Sequence, residues 1–281
     1  MESVRRNGTT GPGINAKMVR GLLVRFLADE IAAAGFSRAV VGLSGGVDSA
    51  VVAALAAEAL GARNVLGVLM PYRTSSPESA VHAALAAKAF GIPTETVDIS
   101  AMADAYCEQH KVHDRVRRGN VLARMRMVVL YDLSARGRAL VLGTSNKTEI
   151  LLGYGTLHGD MASAINPIGD LYKTQVWQLA AELGVPEEII RKKPSADLWS
   201  GQTDEGEMGF SYRDVDRLLY FMIDERRSDE DLVTMGFRMA FVNKVKEMIR
   251  KNQFKRRPPL IAKISYRTVN VDFRYVRDWG I

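Results

Sequence analysis

Ala39-Val40-Val41-Gly42-Leu43-Ser44-Gly45-Gly46-Val47-Asp48-Ser49-Ala50 decides how this chain reads. The apolar run from Ala39 to Leu43 predicts a buried strand. Ser44-Gly45-Gly46 predicts a tight polar turn, and the Ala-rich stretch from Val47 to Leu60 predicts a helix. Strand, glycine turn and helix in that order aim backbone N–H groups and the positive end of a helix at one small volume. Glycine lets the backbone approach a ligand closely there. The volume suits an anion, with phosphate or pyrophosphate first.

The stretch differs from the common nucleotide loops. It has no G-x-x-x-x-G-K-[ST], and no G-x-G-x-x-G follows the strand. It carries hydroxyls at Ser44 and Ser49 and a carboxylate at Asp48 instead. A carboxylate beside a phosphate repels it unless a cation lies between them, which points to Mg²⁺ held by Asp48 and the phosphates. The plainer alternative is a helix N-terminus with Asp and Ser in its first turn.

Outward from this stretch, strand and helix patterns alternate. Asn15 to Ala34 has apolar residues at helical spacing, with Gly35 as a stop. Asn64 to Met70 reads as a strand ended by Pro71, Pro77 to Phe90 as a helix closed by Gly91, Thr94 to Ile99 as a third strand, and Ala139 to Gly143 as a fourth. Gly119 to Leu130 is helical and carries Arg124 and Arg126 among apolar neighbours. These are either snorkelling arginines or a fork for a phosphate or nucleotide. The pattern predicts an α/β fold, a doubly wound parallel sheet flanked by helices, with helices over Val215 to Asp224 and Asp229 to Arg250 at the C-terminal end. Ligands of such sheets bind at the carboxyl ends of the strands. Gly143-Thr144-Ser145-Asn146 follows a strand as the Ser44 loop does, and Glu149 brings a second carboxylate to the same edge. Lys173 lies in the first turn of a helix, where a cation is unfavourable unless an anion is near. Arg191 to Tyr212 is loop-rich and reads as a lid over the site or as a surface connection. Lys251 to Pro259 is a basic run, either a solvated tail or part of a site.

Residues 1–13 are polar and Gly-rich and read as a flexible tail before one folded unit over 14–281. The chain has 281 residues, 47% of them hydrophobic, enough for one large α/β domain or two small ones. A net charge of +6 suits anionic partners. With one cysteine, Cys107, no disulfide forms within the chain, and Cys107 reads as structural. No run of ~18 apolar residues exists, so no membrane span is predicted, and a cytoplasmic location is expected.

Ser44-Gly45-Gly46-Val47-Asp48-Ser49 resembles the pyrophosphate loop of the N-type ATP pyrophosphatases, which have an adenine nucleotide alpha hydrolase-like fold. Further motifs resemble the ammonia-dependent NAD synthetase family. They are Asn120 with Ala123-Arg124 and Arg126-Met127; Gly143 to Glu149; Gly153-Tyr154 with Gly159-Asp160; Asn166 to Val176; Pro194 to Leu198; and Gln202 with Asp204-Glu205 and Glu207-Met208-Gly209. Together they span residues 40 to 257.

The resemblance implies a reaction. The carboxylate of deamido-NAD attacks the α-phosphorus of ATP, pyrophosphate leaves, and ammonia converts the adenylated carboxyl to the amide, giving NAD⁺ and AMP. It implies that Gly42, Leu43, Ser44, Gly45, Gly46, Val47, Asp48, Ser49, Thr144, Lys173 and Ser195 hold ATP. It implies that Asp48 and Glu149 ligate Mg²⁺, with Asp48 and Lys173 the catalytic groups. Arg124, Asp160 and Lys255 are implied on the deamido-NAD side. Many relatives have Lys where Leu157 stands, Asp where Ala164 stands, and a His-Lys pair where Phe254-Lys255 stands, so the departures fall on the dinucleotide side. The synthetase motifs begin near residue 40, which leaves no room before them for a glutaminase domain. Free or donated ammonia is the nitrogen source, and a homodimer with the dinucleotide at the subunit interface is expected.

Two rival readings remain at this level. One keeps the ATP chemistry with another carboxylate acceptor. The other is a non-catalytic nucleotide- or RNA-binding module, against which Asp48 and Glu149 speak because they weaken phosphate binding without a metal. No nucleic-acid partner is expected.

Overall fold

A computed structural model describes residues 11–195, 197, 199, 201 and 203–269. In chain order its helices are α1 (Ala16–Ala33), α2 (Val47–Leu60), α3 (Pro77–Phe90), α4 (Ser100–Gln109), α5 (Arg115–Gly137), α6 (Lys147–Leu152), α7 (Lys173–Glu182), α8 (Glu187–Arg191), α9 (Asp204–Met208), α10 (Tyr212–Leu219), α11 (Asp229–Thr234) and α12 (Met239–Lys251). The strands are β1 (Ala39–Gly42), β2 (Val65–Leu69), β3 (Thr94–Thr96) and β4 (Leu140–Leu142).

The strands form one parallel sheet in the order β3-β2-β1-β4. The chain steps outward from β1 to β2 to β3, then returns to the far side of β1 as β4. That reversal opens a crevice at the carboxyl ends of β1 and β4, where ligands of open α/β sheets bind. In register, Val41 of β1 lies between Gly67 and Leu142. Residues 164–165 run beside β4 and close its outer edge, Gly143 N–H donating to Ile165 O at 2.8 Å.

The inner strands β1 and β2 bury both faces, which is why they read as unbroken apolar runs, whereas β3, at the edge, is polar and largely exposed. Ala39 and Val41 point into one core with α1, α2, α3, α7 and α8. Val40 and Val68 point into the opposite core with Ala103 of α4 and Leu122, Val129 and Leu133 of α5. A third core, built from Leu152, Tyr172, Met208, Tyr212, Leu218, Val242 and Val245, joins α6 and α7 to the C-terminal helices.

α2 is buried at every position from Ser49 to Ala56. Its alanines let α1, α3, α7 and the sheet approach it on all sides. Gly61, at φ +83°, ends it.

Several sequence expectations change in the structure. The third strand ends at Thr96, and Ser100–Gln109 forms α4, whose first N–H, that of Ser100, donates to Asp98 Oδ1 at 2.7 Å. The Asp229 to Arg250 stretch is two helices, because Gly236 at φ +93° turns the chain and sends Phe237 into the core. Tyr220–Asp224 continues α10 as a π-helical turn. The basic run is anchored to the fold at Lys255 and Arg256, while Lys251 and Arg257 are exposed. Lys255 Nζ donates to Gly153 O and Gly155 O at 2.7 and 2.9 Å, and Arg256 Nη1 to Leu151 O at 2.6 Å. These carbonyls lie at or just past the C-terminal, negative end of α6, which attracts cations. Of the expected flexible tail, residues 1–10 lie outside the described residues. Pro12 is buried, and its carbonyl accepts from Gln178 Nε2 on α7 at 3.2 Å. Residues 270–281 of the expected folded unit also lie outside the description. Cys107 is buried, and among the described residues no helix is long and apolar enough to cross a membrane.

Leu55 is fully buried in the middle of α2. Leu55→Ala is expected to lower the unfolding free energy by about 2–5 kcal/mol, the range for an aliphatic side chain deleted from a packed core. Chemical denaturation monitored by circular dichroism checks it.

Candidate active site

The loop after β1 is held by its own hydroxyls. Ser44 N–H donates to Ser49 Oγ at 3.3 Å, Gly46 N–H to Ser44 Oγ at 3.2 Å, and Ser49 Oγ–H to Gly46 O at 3.0 Å. Gly45 sits at φ +73°, and a Cβ there would lie 2.2 Å from Ser79 O of α3. Glycine is therefore required for both the turn and the space. No side chain caps the N-terminus of α2, so its first N–H groups face the crevice as an anion cradle.

Across the crevice, Asn146 starts α6 with a capping box. Glu149 N–H donates to Asn146 Oδ1 at 3.0 Å, and Asn146 N–H donates back to Glu149 Oε2 at 3.2 Å. The same fully buried Asn146 donates through Nδ2 to Asp48 Oδ1 at 3.1 Å. One residue thus orients both carboxylates.

Lys173, 2% exposed, projects from the first turn of α7 between them. Its Nζ is ion-paired with Asp48 Oδ2 and lies 3.7 Å from Glu149 Oε1 and 5.1 Å from the centre of the Tyr212 ring. Burial drives the Glu149 carboxyl up to about 8, Asp48 adds to the rise, and Lys173 opposes it. Burial alone would lower Lys173, but Asp48 and Glu149 outweigh it and hold the ammonium charged. Charge crowding contributes to both shifts: Asp48 adds to what burial does to Glu149, and the two carboxyl groups overcome what burial does to Lys173.

A second acidic group adjoins. The Tyr212 hydroxyl lies 3.0 Å from Asp204 Oδ2 and 3.5 Å from Glu149 Oε1. The Tyr154 hydroxyl lies 2.6 Å from Glu207 Oε2 and 3.1 Å from Asp204 Oδ1. Among the described residues no three His, Cys, Asp or Glu side chains are grouped to cage a metal. Two carboxylates with oxygen donors and excess negative charge nevertheless fit Mg²⁺, which takes one or two carboxylates plus substrate phosphates in place of a full protein cage.

Asp48, Glu149, Lys173, Tyr154, Asp204 and Glu207 line a cavity of about 940 Å³, large enough for a nucleotide. Of the residues singled out in the sequence, Gly42, Leu43, Ser44, Gly46, Val47, Asp48, Ser49, Thr144, Glu149, Asp160, Lys173, Ser195 and Lys255 line it. Gly45 lies beneath the loop against α3. Arg124 is not brought to the cavity. It is exposed on α5 and donates to Leu157 O at 3.2 and 3.3 Å. Arg126, two residues on and so on the other side of the helix, does line the cavity, with Nε–H donating to Met70 O at 3.1 Å.

The 191–212 stretch covers the cavity with Lys192, Lys193, Pro194, Ser195, Asp197, Trp199, Asp204 and Glu207. Lys192 Nζ donates to Ser79 Oγ at 2.9 Å, and Ser76 N–H donates to the Asp197 carboxylate at 3.1 Å. Ala196, Leu198 and Gln202 of its motifs lie outside the described residues. In the sequence Arg126 reads as either a snorkelling arginine or part of a phosphate fork, and Tyr154 and Asp204 lie in the resembling motifs without a role; Asn146, Lys192 and Tyr212 are not assigned to the site from the sequence. For Asn146 the capping-box pattern was a usable signal; for Lys192 and Tyr212 the partners are distant in sequence.

The chain matches the family model described as NAD synthase over residues 19–259. It is 60% identical over 267 residues to the NH3-dependent NAD+ synthetase of Trichlorobacter lovleyi, covering 95% of this chain and 98% of that protein. It is 56% identical to the protein of the same name from Chlorobaculum parvum, covering 93% and 95%. Among solved structures it superposes on the NH3-dependent NAD synthetase of Campylobacter jejuni with a TM-score of 0.77 at 34% identity, covering 89% of this chain and all of that one. A structure named NMN synthetase, from Francisella tularensis, gives a TM-score of 0.78 at 31% identity with the same coverage.

Asp48→Asn keeps the shape of the side chain and the contact to Asn146 but removes the charge that faces Lys173. Turnover is expected to fall by about 10²-fold or more, the scale of deleting one electrostatic group from a reacting site. Without Asp48 one cause of the raised Glu149 pKa is gone, so Glu149 can ionise beside Lys173 and the melting curve remains cooperative. Steady-state kinetics with a thermal melt check both.

Proposed function

The chain belongs to the NAD synthase family, and from that membership we infer how its own residues carry out the family's reaction. The reaction is the ATP-dependent amidation of deamido-NAD with ammonia, and the enzyme is a ligase. ATP is a substrate. We propose that its phosphates lie on the Ser44–Ser49 loop and the N-terminus of α2, supported by the uncapped N–H groups there.

An anionic carboxylate attacking a polyanionic phosphate needs charge neutralisation and alignment more than it needs a base. Lys173 supplies a buried, permanently charged ammonium for the phosphates, and the excess acidity around it is the observation that carries the reading. Asp48 and Glu149 would hold Mg²⁺, whose charge would screen the phosphates from these carboxylates. Tyr212 and Asn146 keep Lys173, Asp48 and Glu149 in place. Arg126 and Lys192 add cationic groups to the cavity wall, and Thr144 and Ser195 supply hydroxyls for ATP. The described residues from 14 to 269 act as one unit.

On the dinucleotide side, Asp160 and Lys255 line the same cavity. Arg124 faces outward with exposed Val128 and Tyr131 of α5. A second copy of the chain covering this apolar face would bring Arg124 to a dinucleotide at the interface, which supports the homodimer. A cytoplasmic location, where ATP and ammonia meet, completes the reading.

Leu157 and Ala164 offer no polar side chain, and one structural relative is named for a mononucleotide product. Nicotinic acid mononucleotide is therefore the second acceptor to test.

With ATP, Mg²⁺ and ammonium, deamido-NAD is expected to give AMP, pyrophosphate and NAD⁺ in equal amounts. Chromatography of the products checks this, and a larger kcat/KM for the mononucleotide would shift the acceptor. Lys173→Ala is expected to slow pyrophosphate release while dinucleotide affinity holds. A pure loss of dinucleotide affinity would contradict its phosphate role.

A further inference from the structure

We infer that Asp216 and Asp224, two carboxylates of the C-terminal helical layer, form a clamp that sets the spacing of Glu149 and Lys173. The inference rests on the phosphate role given to Lys173 above. Neither aspartate lines the cavity, so both are positioning residues.

Asp216 is fully buried on α10. A carboxylate without solvent is costly unless donors satisfy it, and its donors come from the two helix starts that carry the site. Thr148 Oγ1–H donates to Asp216 Oδ1 at 2.6 Å, and Thr174 N–H donates to Asp216 Oδ2 at 2.8 Å. Thr148 Oγ1 in turn accepts from Lys173 N–H at 3.1 Å. Thr148 directly precedes Glu149 at the start of α6, and Lys173 and Thr174 open α7. One carboxylate thus ties the residue before Glu149 to the backbone of Lys173. It also supplies the negative charge that the N-terminus of α7 lacks, since no acidic residue stands in its first turn.

The second half of the clamp lies at the end of the π-helical turn. Asp224 Oδ2 accepts from the Tyr172 hydroxyl at 2.9 Å, and Asp224 Oδ1 accepts from Lys147 Nζ at 2.9 Å. Lys147 Nζ also lies 4.7 Å from the centre of the Tyr172 ring. Asp216 therefore grips residues 148 and 174, while Asp224 grips 147 and 172. One turn before Asp216 on the same face of α10, Tyr212 places its ring against the Lys173 ammonium. α10 and its extension hold both the backbone and the head of Lys173. A clamp of this kind keeps Lys173 Nζ within reach of both Asp48 and Glu149.

The test is a double-mutant cycle on the whole enzyme with saturating ammonium. Asp216→Ala is expected to lower kcat by about 10–10²-fold, the cost of misplacing a reacting group by about an ångström, with KM for deamido-NAD nearly unchanged. In the Lys173→Ala background the same substitution is expected to cost little more, because it acts through a group already gone. Asp216→Asn, which keeps an acceptor for Thr174 N–H, is expected to regain part of kcat. Unchanged kcat in folded Asp216→Ala, or full additivity with Lys173→Ala, overturns the clamp. Should Asp216→Ala not fold, Thr148→Val against Thr148→Ser decides: Ser is expected near the parent and Val slow, and equal kcat in both overturns it. Full activity in Lys173→Ala overturns the phosphate role and the inference with it. A loss there beside an additive double variant overturns the clamp alone.

Discussion

The Lys173 ammonium, buried between Asp48 and Glu149, is the constraint that the rest of the structure answers to. An ammonium without solvent persists only where carboxylates face it, and carboxylates so gathered repel each other. The three groups stabilise one another only as a set. Removing one partner of such a buried pair costs about 3–5 kcal/mol, mainly from the charge left behind.

The elements that carry these groups come from three places. Asp48 rides on the first turn of α2, which the sheet and three helices enclose. Glu149 is fixed by the Asn146 capping box after β4, and Lys173 opens α7. The sheet order puts β4 beside β1, so the Asp48 and Glu149 loops meet at one crevice. Asn146 then joins them directly. The C-terminal helices, which contribute no strand, close the arrangement from behind through Tyr212, Asp216 and Asp224. In this way the third hydrophobic core is part of the site's geometry as well as of its stability.

The excess acidity has a functional consequence. Burial, with Asp48 alongside, makes Glu149 hold its proton to about 8, and Lys173 only partly offsets this. A divalent cation brought with the phosphates of ATP, as proposed above, would offset that acidity. Arg126 and Lys192 line the same cavity, so it offers basic groups as well as the acidic pair.

The local features of this protein were legible in its sequence. The strand, the Ser44 to Gly46 turn and α2 were legible because glycine, hydroxyl and apolar spacing act over a few residues. The cap at Asn146 and the stop at Gly91 were legible for the same reason. The division of Asp229 to Arg250 at Gly236 was missed because a lone glycine inside an apolar helical pattern is tolerated as often as it breaks one. The basic run after α12 was left open because its partners are backbone carbonyls about a hundred residues earlier, at and beyond the end of α6. Arg124 and Arg126 looked alike in the sequence, and only the docking of α5 on the sheet turned one inward and the other out. The pairing of Lys173 with Asp48 spans 125 residues, and the reach of Asp216 to Thr148 and Thr174 spans 68 and 42. Composition and local spacing determined which groups this chain possesses. The strand order and the packing of α10 decided which of them meet, because side chains that far apart in the chain are brought within hydrogen-bond distance only by the fold.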